Sequence, residues 1–119
     1  MRTTHKFNVS PKLDRTYNGI VFDSKKEMNR YILLEQDLKT KKISNLQRQV
    51  SYELQPAFTD YTGKKQRAIC YIADFVYEKD GKCIVEDVKS EMTRKLPDYR
   101  MKKKMFLYKY QNLCFQEWI

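Results

Sequence analysis

The 119-residue sequence predicts an α+β fold in a single domain. Three observations predict it. Two segments, starting near Ser24 and at Pro97, carry apolar residues at helical spacing. Between them lie three runs with strand character, around Val50–Leu54, Arg67–Tyr77 and Cys83–Lys89. A tight Asp80-Gly81 pair joins the last two as a hairpin. Leu113–Ile119 then supplies a closing strand, so the order is helix, three strands, helix, strand.

Residues 1–18 are polar and basic, with Arg2, Lys6, Lys12 and Arg15, and show no period. They read as a basic arm or irregular lead-in, followed by a short strand at Gly19–Phe22. The first helix starts at Asp23 or Ser24, because Ser24-Lys25-Lys26-Glu27 is a capping box: the serine caps and the glutamate reaches back. Its apolar stripe is Met28, Tyr31, Ile32, Leu34 and Leu38, and Lys39, Lys41 and Lys42 suit its negative C-terminal end near Thr40.

Val50, Tyr52 and Leu54 alternate with polar residues until Pro56 ends the run. Thr62-Gly63-Lys64 reads as a turn. Pro97 belongs in the first turn of the second helix with Asp98 near its positive end, and Met101, Met105 and Tyr108 form its inward stripe to about Tyr110.

Composition narrows the function. Apolar residues make up 41% and aromatic residues 13%, enough for one modest core. The formal charge is +9, and Lys89–Lys109 holds eight basic residues against two acids, +6 of that total. Such a concentrated field suits a polyanion, nucleic acid above all, although a solubilising surface gives the same composition. Cys70, Cys83 and Cys114 form no CxxC pair and fall in apolar runs, so they read as buried, reduced thiols of a cytoplasmic protein. The only histidine is His5, which argues against zinc. No apolar run approaches the roughly 20 residues that span a bilayer.

The candidate site follows from strand geometry. Asp87 and Lys89, two apart on one strand, share a face, and Glu86 points to the other. The Asp80-Gly81 hairpin places Asp74 on the adjacent strand. Two carboxylates embedded in apolar strands repel one another unless a cation lies between them, and magnesium is held in this way. Such an ion polarises a scissile phosphate and acidifies an attacking water, and Lys89 would orient that water or stabilise charge developing on phosphorus. Taken alone, the pattern is better read as a solvent-facing ion pair, because short motifs often arise by chance.

In its order of elements and in Asp74 followed by Asp87-Val88-Lys89, the chain resembles the PD-(D/E)XK nuclease superfamily of restriction enzymes and Holliday junction resolvases. Val21-Phe22-Asp23-Ser24-Lys25-Lys26-Glu27 with Ala73-Asp74-Phe75 is similar more narrowly to small phage-encoded endonuclease-like proteins. The resemblance covers about residues 19–119. It implies a restriction-endonuclease-like αβββαβ core, with a mixed central sheet flanked by helices. It implies Asp74, Asp87 and Lys89 as catalytic residues, with Glu27 of the first helix as a further metal ligand. Glu27 is also the capping-box acid, and the two roles compete. Two departures stand out: Ala73 replaces the proline before the first acid, and the second acid is Asp rather than the commoner Glu.

The implied activity is magnesium-dependent DNA hydrolysis, with manganese as a substitute, in phage recombination or DNA processing within the host cytoplasm. Arg94, Lys95, Arg100, Lys103 and Lys104 are the candidate phosphate contacts. So short a chain has little surface for reading sequence, which favours branched DNA recognised by shape. A four-way junction needs two symmetric cuts and therefore a homodimer, for which Tyr71, Phe75 and Tyr77 offer one apolar face. A non-catalytic nucleic-acid-binding or host-interacting protein on a nuclease-like fold is the competing reading, and a ribonuclease a third.

Overall fold

Both Asx-Gly pairs of the chain, Asn18-Gly19 and Asp80-Gly81, become hairpin turns in the computed structural model, which describes residues 9–119. All four of these residues have positive φ (54°, 79°, 51° and 75°), the backbone that two-residue hairpins require. His5, Arg2 and Lys6 lie outside the described residues. The fold is α+β, with two helices and a mixed sheet, and forms two compact units that meet in sequence at Ile43 and Ser44.

In the first unit a 3-10 turn at Lys12–Arg15 leads into strands β1 (Thr16–Tyr17) and β2 (Ile20–Val21), paired antiparallel. From Lys12 onwards the lead-in is therefore regular where an arm or irregular segment over residues 1–18 was expected; residues 1–8 of that segment lie outside the described residues. Arg15 ties it down: its guanidinium donates to the Ser10 carbonyl at 2.9 Å and to the Phe22 carbonyl. Helix α1 (Lys25–Lys39) starts where the capping box places it, with the Glu27 N–H donating to Ser24 Oγ at 3.0 Å. Its buried stripe is Glu27, Met28, Arg30 and Leu34, with Tyr31 packed on Phe22 at 5.2 Å between ring centroids. Leu38 does not join that stripe; in the last turn it stays exposed.

The second unit carries the four-stranded sheet. Strand β3 (Ser44–Gln55) is longer than its alternating core, and a two-stranded excursion, β4 (Phe58–Thr59) and β5 (Lys65–Gln66), follows it. Asp60 closes that excursion by accepting from the N–H groups of Thr62 and Lys64 and from the Gln66 amide. Strands β6 (Ile69–Lys79) and β7 (Lys82–Val88) are the Asp-Gly hairpin. Helix α2 (Pro97–Lys109) then crosses to β8 (Cys114–Trp118). The sheet order is β3-β6-β7-β8; its last pair is parallel, the pairing that needs a crossover of this kind.

Phe106, fully buried, is the centre of the core. Its ring meets Tyr52, Tyr71, Tyr110 and Phe115 at 5.1–5.8 Å, and Leu54, Ala73, Val76 and Val85 complete the cluster. The inward face of α2 is Tyr99, Lys103, Met105 and Phe106, continued by Tyr110 at the C-cap; of the expected stripe Met105 packs on the core, while Met101 and Tyr108 do not. Aromatic rings bury more apolar area than methionine, so they decide the helix rotation. Met101 and Tyr108 are left exposed, whereas Met105 is partly buried against the cluster. Tyr71, Phe75 and Tyr77 are all buried and offer no apolar face to a second copy. The three cysteines are free and half-buried instead of buried, because each lies in the first two residues of its strand.

Candidate active site

The hairpin brings Asp74 and Asp87 together. Its ladder runs from Lys79↔Lys82 to Phe75↔Glu86, so Asp74 and Asp87 follow as the next position. There the strands part, and the Asp74 carboxylate takes over the bonding: Oδ2 accepts the Val88 N–H at 2.8 Å. The neighbouring strand is distorted at the same level. Between the pairs Arg48↔Phe75 and Val50↔Ala73 lie Gln49 and Asp74, and Gln49 has φ of 52°. A left-handed non-glycine residue costs about 1 kcal/mol or more and concentrates at functional sites.

Asp87 is 2% exposed. Lys89, on the same face, places its Nζ 3.6 Å from Asp87 Oδ2, as the two-residue spacing requires. The ammonium also lies over the Tyr99 ring, 4.4 Å from its centroid, a cation–π contact that fixes the lysine from the helix side. Tyr71 closes the floor. Its hydroxyl is buried without a well-formed hydrogen bond. Burial, and after it the nearby Asp87 carboxylate, push its pKa far above the usual phenol value. Burial also raises Tyr99, as do its bond to Glu117 and the charges of Asp87 and Asp74.

Glu86 has a different environment, as the strand alternation requires. Fully buried, it accepts from the Tyr77 hydroxyl at 2.7 Å and from the Gln116 amide at 2.8 Å. Glu27 lies on α1 in the first unit, 3% exposed, with its backbone N–H capped by Ser24.

The residues between β7 and α2 fold into a short bracket. Ser90 and Thr93 bond reciprocally, the Ser90 N–H to Thr93 Oγ1 at 2.8 Å and the Thr93 N–H to Ser90 Oγ at 3.0 Å. The 3-10 turn at Thr93–Lys95 that follows presents Arg94 and Lys95 toward α2. Arg94, Lys95, Arg100, Lys103 and Lys104, the five candidate phosphate contacts, line one open cleft of about 340 Å³ with Leu107 and Glu117.

Glu117 is the residue that sequence reasoning missed. Parallel pairing sets it beside Asp87, and three side chains converge on it: Arg94 Nε at 3.4 Å, Lys103 Nζ at 3.3 Å and the Tyr99 hydroxyl at 2.6 Å. Burial alone would raise its pKa, but these partners outweigh burial and hold it below the usual glutamate value.

Asp74 and Asp87 are hard oxygen donors of the kind magnesium takes, one or two carboxylates with water and substrate phosphate completing the shell. The buried Tyr71 hydroxyl, without a settled partner, is a further polar group beside Asp87. The donor set therefore fits such an ion. Among the described residues no three His, Cys, Asp or Glu side chains gather as a complete metal cage. No helix among them is long and apolar enough to cross a membrane.

No curated protein and no solved structure matches the chain. A family model described as "Protein of unknown function (DUF1064)" matches residues 5–119, nearly the whole sequence, and the chain belongs to that family.

Proposed function

We propose that the chain is a magnesium-dependent DNA endonuclease of the PD-(D/E)XK kind, acting in the cytoplasm on branched DNA. One observation carries the reading. Asp74 and Asp87 meet at the end of the β6–β7 ladder, with Lys89 3.6 Å from Asp87, next to a cleft lined by five cations. Two acids in adjoining apolar strands repel one another and lose hydration, a cost that a cation between them offsets.

Asp74 and Asp87 would hold the ion, whose chemistry is Lewis-acid activation of the scissile phosphate and of the attacking water; manganese substitutes for magnesium. The Val88 N–H holds the Asp74 carboxylate against β7, at the residue next to Asp87. Lys89, restrained between Asp87 and the Tyr99 ring, orients the water or meets the charge that develops on the phosphoryl oxygens. Arg94, Lys95, Arg100, Lys103 and Lys104 grip backbone phosphates without reading bases, which suits recognition by shape. Symmetric cutting of a four-way junction would call for a homodimer.

The test compares linear, nicked and four-way-junction DNA, with magnesium, manganese or chelator, beside Asp87→Ala. Cleavage that needs the divalent ion and Asp87 is the expected result. Cleavage that persists in chelator or in the variant sinks the reading. Binding without cleavage under every ion favours a nucleic-acid-binding protein on a nuclease-like fold.

A further inference from the structure

We infer that Glu117 is the resident anion of the basic cleft, occupying the place of one nucleic-acid backbone phosphate, and that substrate binds by taking Arg94 and Lys103 away from it. The inference rests on the nucleic-acid reading of the cleft and not on hydrolysis.

The cleft is an anion site by composition: its lining is five cations, one leucine and one carboxylate. The carboxylate is at the centre of the charge pairing. Arg94 approaches Glu117 Oε1 at 3.4 Å and Lys103 approaches Oε2 at 3.3 Å. The two cations come from separate elements, the 3-10 turn and α2, so they converge on one point as ligands around an anion do. Neither distance is short. Charge-assisted bonds of ideal geometry run to about 2.7–2.9 Å, which leaves room for a phosphate with three or four acceptor oxygens to compete. The Tyr99 hydroxyl, at 2.6 Å, is the tightest of the three contacts and is the one that would persist.

Position gives the exchange a purpose. Asp87 and Glu117 are register partners on neighbouring strands, and such strands lie about 4.8 Å apart. A phosphate held by Arg94 and Lys103 is therefore next to the carboxylate pair, where the phosphate adjoining the scissile one belongs. In the free protein the cleft stays positive, with five cations against one carboxylate, but Glu117 pairs two of them, Arg94 and Lys103, and Glu91 also approaches Arg94 at 3.5 Å. Glu117 thus keeps Arg94 and Lys103 from facing one another unpaired in the absence of substrate, and it weakens binding to any anion that cannot engage the two together.

The experiment measures binding of a short fluorescent duplex DNA by fluorescence anisotropy in chelator, so that cleavage plays no part. Glu117→Gln keeps an acceptor for Tyr99 and removes the charge. Glu53→Gln is the control: it makes the same charge change at a residue paired with Lys109, outside the cleft lining. Glu117→Gln is expected to tighten binding by on the order of tenfold at low salt and to steepen the log–log salt dependence by about one phosphate contact, well beyond the control. Adding Lys103→Ala to Glu117→Gln should cancel most of that gain, which a double-mutant cycle reads directly. Circular dichroism checks folding, and Glu117→Ala replaces the glutamine variant if that one does not fold. Equal gains from Glu117→Gln and Glu53→Gln, or a gain indifferent to Lys103, overturn the inference and leave the nuclease reading standing. No binding by the wild-type protein removes the nucleic-acid reading and the inference with it.

Discussion

Glu86 and Asp87 are neighbours in sequence, both acidic and both buried to within 2% of full burial, yet they stand in opposite chemical situations. Glu86 accepts from the Tyr77 hydroxyl and the Gln116 amide, which themselves meet at 3.3 Å. Asp87 is met by a cation, Lys89, and has a second carboxylate, Asp74, and an unsatisfied phenol for company. Burial alone does not distinguish a structural acid from a functional one; the partners do. A structural carboxylate is enclosed by donors that exist for it. A functional one is left with like charge nearby and a single cation at its edge, so that a ligand completes its shell.

The largest expected effect tests the Asp87 side of this contrast. Asp87→Asn or Asp87→Ala should lower divalent-dependent cleavage by about a thousandfold or more, because several kcal/mol of charge stabilisation goes with the ion and each 1.36 kcal/mol is tenfold. Stability should change by less than about 1 kcal/mol, since the loss of the Lys89 pair is offset by relief of repulsion from Asp74. Single-turnover cleavage and thermal melting on the same samples check both halves. An Asp87 variant that loses several kcal/mol of stability would place Asp87 with the structural acids.

Glu86 should behave in the opposite way. Glu86→Ala leaves the Tyr77 hydroxyl and the Gln116 amide short of their acceptor inside the sheet. The cost is about 3 kcal/mol, or roughly 10 °C in melting temperature for a chain of this size. The milder Glu86→Gln retains one carbonyl acceptor and should cost less, with cleavage by the folded fraction unchanged. If Glu86→Gln reduced cleavage as deeply as Asp87→Asn, the contrast between the two acids would be wrong.

What was legible in the sequence was what short-range geometry controls. Ser24 capping Glu27, the Asp80-Gly81 turn and the shared face of Asp87 and Lys89 depend on residues within about five positions, and all three are present. Asn18-Gly19 carries the same turn signal as Asp80-Gly81, but its flanking strands are only two residues each, too short to show a strand period. The rotation of α2 was not legible, because it is decided by which side chains meet Tyr52, Tyr71 and Phe115, residues brought in by three other elements. Glu117 was missed for the same reason: its meaning comes from parallel pairing with β7 across the whole of α2.

Tyr71 provides a smaller and sharper test. Tyr71→Phe removes a hydroxyl that has no settled bond, so stability should hold or rise slightly. If the hydroxyl turns to Asp87 once an ion binds, the magnesium concentration for half-maximal cleavage should rise a few-fold while DNA affinity in chelator stays the same. An unchanged magnesium requirement would make Tyr71 a core residue with an incidental oxygen.

The smallest expected effect belongs to a third kind of carboxylate, Asp60, half-buried and saturated with donors. Bonds from Thr62 and Gln66 side chains, with the Thr62 and Lys64 N–H groups, hold the Asp60 pKa down at about 2 against an ordinary 3.8. The native pKa is the lower one, so its contribution to the β4–β5 excursion is complete above about pH 4 and is lost as the pH falls toward 2. Carboxyl chemical shifts followed by NMR should show Asp60 titrating last among the surface acids, with the amide shifts of Thr62 and Lys64 moving in step. Cleavage is indifferent to this change, because Asp60 serves only its own loop. Titration near 4 would mean that donors in a surface loop do not by themselves hold a carboxylate in its charged form. Burial would then have to be restored as part of what makes an acid structural.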